Sequence, residues 1–184
     1  MTRQFGGDAW WLVAAMFLLA WLLAPVVAQC AQWAPGEGVP GVSSTASAVA
    51  MWDPDGAGPA TPVLVVAGTF TLAGKTSAAN IATYDPASGT WAALGTGTNQ
   101  SVSCLATLAN GDLVAGGWFT IAGGVSADHV ARWDGTAWSA LGTGTNGAVT
   151  ALTIANGDLV AGGNFTTAGG VSCSRIARWD GTAW

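Results

Sequence analysis

The chain holds one histidine (His129), one tyrosine (Tyr84) and one glutamate (Glu37) in 184 residues, and that scarcity bounds its chemistry. A Ser-His-Asp triad could use only His129, and no spacing points to partners for it. A histidine-rich metal site cannot be assembled from a single imidazole. Asp53-Pro54-Asp55-Gly56 resembles the first half of a calcium loop, but the third carboxylate and the closing glutamate are missing. Asp53, Asp85, Asp134 and Asp180 recur just after an aromatic residue, and recurrence at such a place predicts Asx turns, in which the carboxylate caps its own backbone. No GxGxxG or P-loop stands between a strand and a helix, so the 27 glycines are expected to serve turns. These residues predict no catalytic centre, no metal and no cofactor in this segment.

The elements that carry those residues are repeated. Arg132–Trp138 (RWDGTAW) returns as Arg178–Trp184, and NGDLVAGG at Asn110–Gly117 returns at Asn156–Gly163, each 46 positions on. An earlier, more divergent copy runs through VLVVAGTFTLAG (Val63–Gly74) and IATYDPASGTWAALGTGTN (Ile81–Asn99). A period in the forties is that of a propeller blade. The middle unit predicts four strands, Ser101–Leu108, Leu113–Thr120, His129–Trp133 and Ala137–Leu141, with two-residue type I′ turns at Asn110-Gly111 and Asp134-Gly135. No stretch after the leader shows a capped helical period. The fold class is therefore all-β, with propeller blades of four antiparallel strands. Small apolar residues on both faces of Leu113-Val114-Ala115 suit a sheet sandwiched between neighbours. Trp52, Trp91, Trp133, Trp138, Trp179 and Trp184 fall at recurrent places and are expected to be packing residues.

Paired glycines after a strand, an aromatic residue at the next turn and a tryptophan shortly after it resemble the kelch repeat, most closely at Gly68 and Tyr84–Trp91. The later copies shorten that turn to Trp-Asp-Gly-Thr-Ala-Trp and add Phe-Thr-x-Ala-Gly-Gly. They resemble the kelch-like segments of large secreted bacterial proteins and of some fungal cell-surface proteins. The resemblance implies a propeller and says almost nothing of a ligand. Galactose oxidases contain a kelch-like propeller too, but their copper chemistry needs several His and Tyr ligands that this segment lacks.

The opening residues supply an address. Arg3 and the amino terminus precede an apolar run, Ala9–Ala24, then Pro25 and the small residues Val26-Val27-Ala28. Residues 1–28 read as a secretory signal peptide cleaved after Ala28. The alternative is an uncleaved membrane anchor, and a spanning helix wants about 20 apolar residues. Gln29 before Cys30 argues against a lipoprotein. Residues 29–47 form an N-terminal segment in which Trp33–Gly38 echoes a fourth strand, a candidate ring-closing strand. Residues 48–184 hold the repeats, 48–99, 100–147 and a shortened 148–184. Two blades and most of a third predict that the chain is an N-terminal piece of a longer propeller, since rings close with about four to eight blades. Beyond the leader, Cys30, Cys104 and Cys173 make an odd number that cannot all pair, which favours idle thiols. A formal charge of −5 gives no electrostatic footprint for nucleic acid.

Alternating turns place the tight Asn-Gly and Asp-Gly connections at one end of the blades. The longer loops, Leu72–Ala79, Gly95–Gln100, Ile121–Asp128, Gly142–Gly147 and Thr167–Ser174, lie at the other. Positions there that differ between copies, Lys75, Trp118, Asp128, His129 and Arg175, are the candidate ligand-binding residues. Asn99-Gln100-Ser101 and Asn164-Phe165-Thr166 are formal glycosylation sequons. The expected function is a secreted or surface-displayed binding or structural module with an extracellular protein or polysaccharide as partner. Membrane attachment would come only through an uncleaved leader. The alternative is the non-catalytic propeller portion of a larger extracellular enzyme.

Overall fold

The computed structural model describes residues 41–55 and 58–184. The leader, the candidate ring-closing strand Trp33–Gly38 and Cys30 lie outside them. Every regular element among the described residues is a strand. The first blade is built of β1 (Thr45–Trp52), β2 (Val63–Thr69), a small hairpin β3–β4 (Leu72–Ala73, Thr76–Ser77), β5 (Ile81–Asp85) and β6 (Thr90–Ala93). The second repeats it with β7 (Val102–Thr107), β8 (Leu113–Gly117), β9–β10 (Ile121–Ala122, Val125–Ser126), β11 (Val130–Trp133) and β12 (Trp138–Ala140). The third contains β13 (Val149–Ala155), β14 (Asp158–Gly163), β15–β16 (Thr167–Ala168, Val171–Ser172) and β17 (Ile176–Trp179). Two four-stranded antiparallel sheets, β1-β2-β5-β6 and β7-β8-β11-β12, and a three-stranded β13-β14-β17 result. They bear out the all-β, blade-by-blade reading.

Two local expectations need correction. The loops at Leu72–Ala79, Ile121–Asp128 and Thr167–Ser174 are not irregular, because each folds into one of the two-stranded hairpins. The tight turns are also of several kinds. Asn156 and Gly157 both take positive φ (52° and 88°), as a type I′ turn requires. At Asn110-Gly111 only the glycine does, and the turn closes instead through Gly111 N–H to the Leu108 carbonyl. At Asp134-Gly135 the positive-φ glycine is followed by Thr136 with negative φ, the order of a type II′ turn.

Strand periodicity assembles the blades. In β8, Leu113 and Ala115 point into a core shared with the first blade, alongside Trp52, Val65, Ala67 and Ile81. The alternate residue, Val114, joins a second core with Val149, Leu159 and Ala161 of the third blade. All five residues of β8 are consequently buried, whereas β14, with a neighbour on one side, alternates. The close approach explains Gly116, since a Cβ there would come within 2.7 Å of both Cys104 Sγ and Val149 Cγ1. Burial in this seam pushes the Cys104 thiol up to about 12 and leaves it inert.

The connectors between blades splint these faces. In Gly95-Thr96-Gly97-Thr98-Asn99, the Thr98 N–H donates back to the Ala79 carbonyl, and Thr98 pairs forward with Ala122. Gly97 is required twice over: its φ is +71°, and a Cβ would sit 2.2 Å from the Ala79 oxygen. Asn99 Oδ1 accepts from the N–H groups of Thr120 and Ile121, and its Nδ2 donates to Thr120 Oγ1. Asn146 repeats every one of these bonds on Thr166 and Thr167. Asn99→Ala gives up three surface hydrogen bonds that tie the connector to the hairpin and should lower the free energy of unfolding in urea by about 1 kcal/mol. Asn99→Asp retains the acceptor and should lose less.

Candidate functional site

The long-loop end is where the candidate residues fall, and the structure brings some of them together. Gly117 N–H donates to the His129 carbonyl and His129 N–H to the Phe119 carbonyl, so Trp118, Asp128 and His129 stand side by side at one end of the second blade. Trp118 is 51% exposed there. The other described tryptophans are buried or half-buried; Trp91, Trp133, Trp138, Trp179 and Trp184 recur between blades as expected, whereas Trp52, at the end of β1, has no tryptophan counterpart in the later blades. Arg175 occupies the corresponding corner of the third blade, where Gly163 N–H donates to its carbonyl. Lys75 sits apart, exposed at the tip of β3–β4 in the first blade. A hollow of about 280 Å³ beside Asp128 is lined also by Ser126 and Thr143.

His129 and Arg175 both take φ of 65°, and Asn80, the same position in the first blade, takes 66°. Since all three copies share this left-handed corner, it belongs to the blade and is not by itself a mark of function. Asparagine tolerates it best. Asn80 Nδ2 also donates to the Thr98 carbonyl, while His129 Nδ1 is buried without a hydrogen-bond partner. Histidine is therefore not the residue the corner needs for stability.

At the opposite, tight-turn end, a cleft of about 510 Å³ opens between the second and third blades. Leu108, Asn110, Arg132, Leu141, Trp179 and Asp180 are among the residues lining it. Trp179 lies at 5.5 Å from Trp184 in a tilted pair, as Trp133 lies at 5.4 Å from Trp138. Arg132 pairs with Asp112 at 3.3 Å, with its guanidinium partly in solvent. Sequence reasoning passed over this end because tight turns looked uniform. The available signal was a mismatch between copies: Trp52, Leu108 and Ala155 occupy one position.

Asp85, Asp134 and Asp180 are turn residues at one recurrent connection, as expected; Asp53 is not their counterpart, because it opens the β1–β2 turn, where its Oδ1 accepts from the Asp55 N–H. Asp134 Oδ1 accepts from the Thr136 and Ala137 N–H groups and the Thr136 hydroxyl, and Asp180 does the same with Thr182 and Ala183. Asp85 accepts from the Ser88 hydroxyl and the Ala87 N–H. Donors to the charged form lower all three; backbone N–H groups, led by those of Ala137 and Ala183, bring Asp134 and Asp180 to about 2.

A family model described as a domain of unknown function (DUF5122) β-propeller matches residues 154–179, from the end of β13 through β17. The repeat is a β-propeller blade. Comparison with curated proteins and with solved structures finds no match.

Two outcomes follow from these residues. Because the folded-state values of Asp134 and Asp180 lie below the ordinary 3.8, their contribution to stability is full above about pH 4 and is lost as pH falls through about 2. Urea midpoints measured between pH 6 and pH 2 should fall over that window, and less steeply in D134N/D180N, whose amide oxygens still cap the turns. His129→Asn should raise stability by about 0.5–1 kcal/mol in the same assay, as relief of an ill-suited backbone conformation does.

Proposed function

We propose that the chain is a secreted or surface-displayed β-propeller module that binds an extracellular protein or polysaccharide and carries out no catalysis itself. The observation that carries this reading is Trp118, half-exposed beside Asp128 and His129, at a position that is Thr69 in the first blade and Asn164 in the third. The blade does not require tryptophan at that place. A large exposed aromatic ring flanked by polar groups is the usual anchor of a recognition surface, contributing apolar area at low entropic cost. The leader expected over residues 1–28 supports the extracellular address, and the formal charge of −5 disfavours nucleic acid as a partner.

The test is a glycan array and a panel of immobilised extracellular-matrix proteins, probed with the wild-type chain and with Trp118→Ala. The variant should lose at least about tenfold in affinity for whichever probe the wild type retains, a loss in the range of hot-spot truncations. Its urea midpoint should not move. Retained affinity in Trp118→Ala would sink this placement of the site.

A further inference from the structure

We propose that the cleft between the second and third blades is a binding site for a tryptophan side chain carried on a peptide. This inference does not rest on the long-loop end; it comes from comparing the two seams of one chain. In the first seam the end of β1 supplies Trp52, which is 6% exposed and whose Nε1 donates to the Gly111 carbonyl of the second blade at 2.8 Å. Its ring lies against the two tight turns of that blade. A Cβ on Gly135 would meet Trp52 Cζ2 at 4.0 Å and the Pro54 carbonyl at 3.9 Å, and one on Gly111 would meet the Asp53 carbonyl at 3.7 Å. An indole and the main chain that follows it therefore fill the first seam.

In the second seam the position of Trp52 is held by Leu108, and the glycines corresponding to Gly111 and Gly135 are Gly157 and Gly181. A Cβ built on either of these glycines meets nothing within 4 Å. Leu108, Gly157 and Gly181 all line the cleft of about 510 Å³. The space left open is thus the one that the first seam gives to an indole with its flanking backbone. Gly157 follows Asn156 in the third blade as Gly111 follows Asn110 in the second, although the two turns differ in type. The second seam also adds a cation: Arg132 lines the cleft where the first blade has Thr83, and its guanidinium, paired with Asp112 and partly in solvent, can still present its planar face to an incoming ring. Half-buried Trp179, whose counterpart Trp133 is 7% exposed in the filled seam, completes the aromatic wall.

The test titrates acetyl-Gly-Trp-Gly-amide, free indole and N-acetylglucosamine into the full ¹⁵N-labelled chain, read by amide and indole N–H chemical shifts. The peptide should give saturable shifts at Gly157, Gly181 and Trp179 Nε1, with free indole at least about fivefold weaker because it lacks the flanking backbone. Leu108→Trp should fill the cleft from within, abolish those shifts and raise the melting temperature. Arg132→Thr, which restores the first blade's residue, should weaken the peptide severalfold and serves if Leu108→Trp does not fold. Trp52→Leu should create a second saturable site, reported by Gly111 and Gly135. Absence of shifts in the wild type, or shifts undiminished in Leu108→Trp or in Arg132→Thr, overturns the proposal. So does free indole binding as well as the peptide, or N-acetylglucosamine binding where the peptide does not.

Discussion

Asn99 and Asn146 bear on the whole assembly because a blade cannot stand by itself. A four-stranded sheet with apolar residues on both faces must be covered twice, and the cover comes from separate units that have to be held at a fixed distance. The connector does this within five residues. Its threonine reaches back to the blade it leaves, and its asparagine satisfies two backbone donors of the hairpin it meets. Trp138 and Trp184 add a second tie, each donating Nε1 to the carbonyl at the end of the previous blade's outer strand, Leu94 or Leu141. The strand faces then meet at contact distance, which excludes a side chain at Gly116, while the connector's return to Ala79 excludes one at Gly97.

Composition follows from the same constraint. A seam in which Gly116, Ala115 and Val114 face neighbours on alternate sides has room for small apolar residues and none for charge, which fits a chain with only 8% charged residues. Bulk is confined to the blade ends, where Trp133 and Trp138 or Trp179 and Trp184 pair at an open angle. Trp133 Nε1 is buried without a partner, so that ring contributes area and shape alone. The ion pairs Arg132–Asp112 and Arg178–Asp158 recur on partly exposed surface and add little by comparison.

The fold could be read from the repeat because each copy states it again, and an error in one unit is corrected by the next. The small hairpins could not be read in the same way. Strands of two residues, such as Ile121–Ala122, have no period of their own and exist because a connector pairs with them from another blade. Turn types escaped for a related reason: Asn-Gly is compatible with several geometries, and the strand ends around it choose. Trp52 was read correctly as a packing residue. The consequence of its replacement by Leu108 depended on knowing that the two occupy one slot facing the next blade, which a register supplies and a motif does not.

A repeat protein contains its own controls, and these separate what the blade needs from what one blade has acquired. The left-handed corner at Asn80, His129 and Arg175 would stand out in a single domain as a strained, functional backbone; seen three times, it is a requirement of the fold. The Trp52 slot gives the opposite result. It is filled at one seam and left unfilled at the next, although the glycines that border it are kept at both. Space that the fold can fill with one of its own side chains, and at the adjoining seam does fill, is not an unavoidable packing defect. The sequence of the second blade leaves it open, with an arginine and a tryptophan around it, and that arrangement favours an occupant from outside the chain.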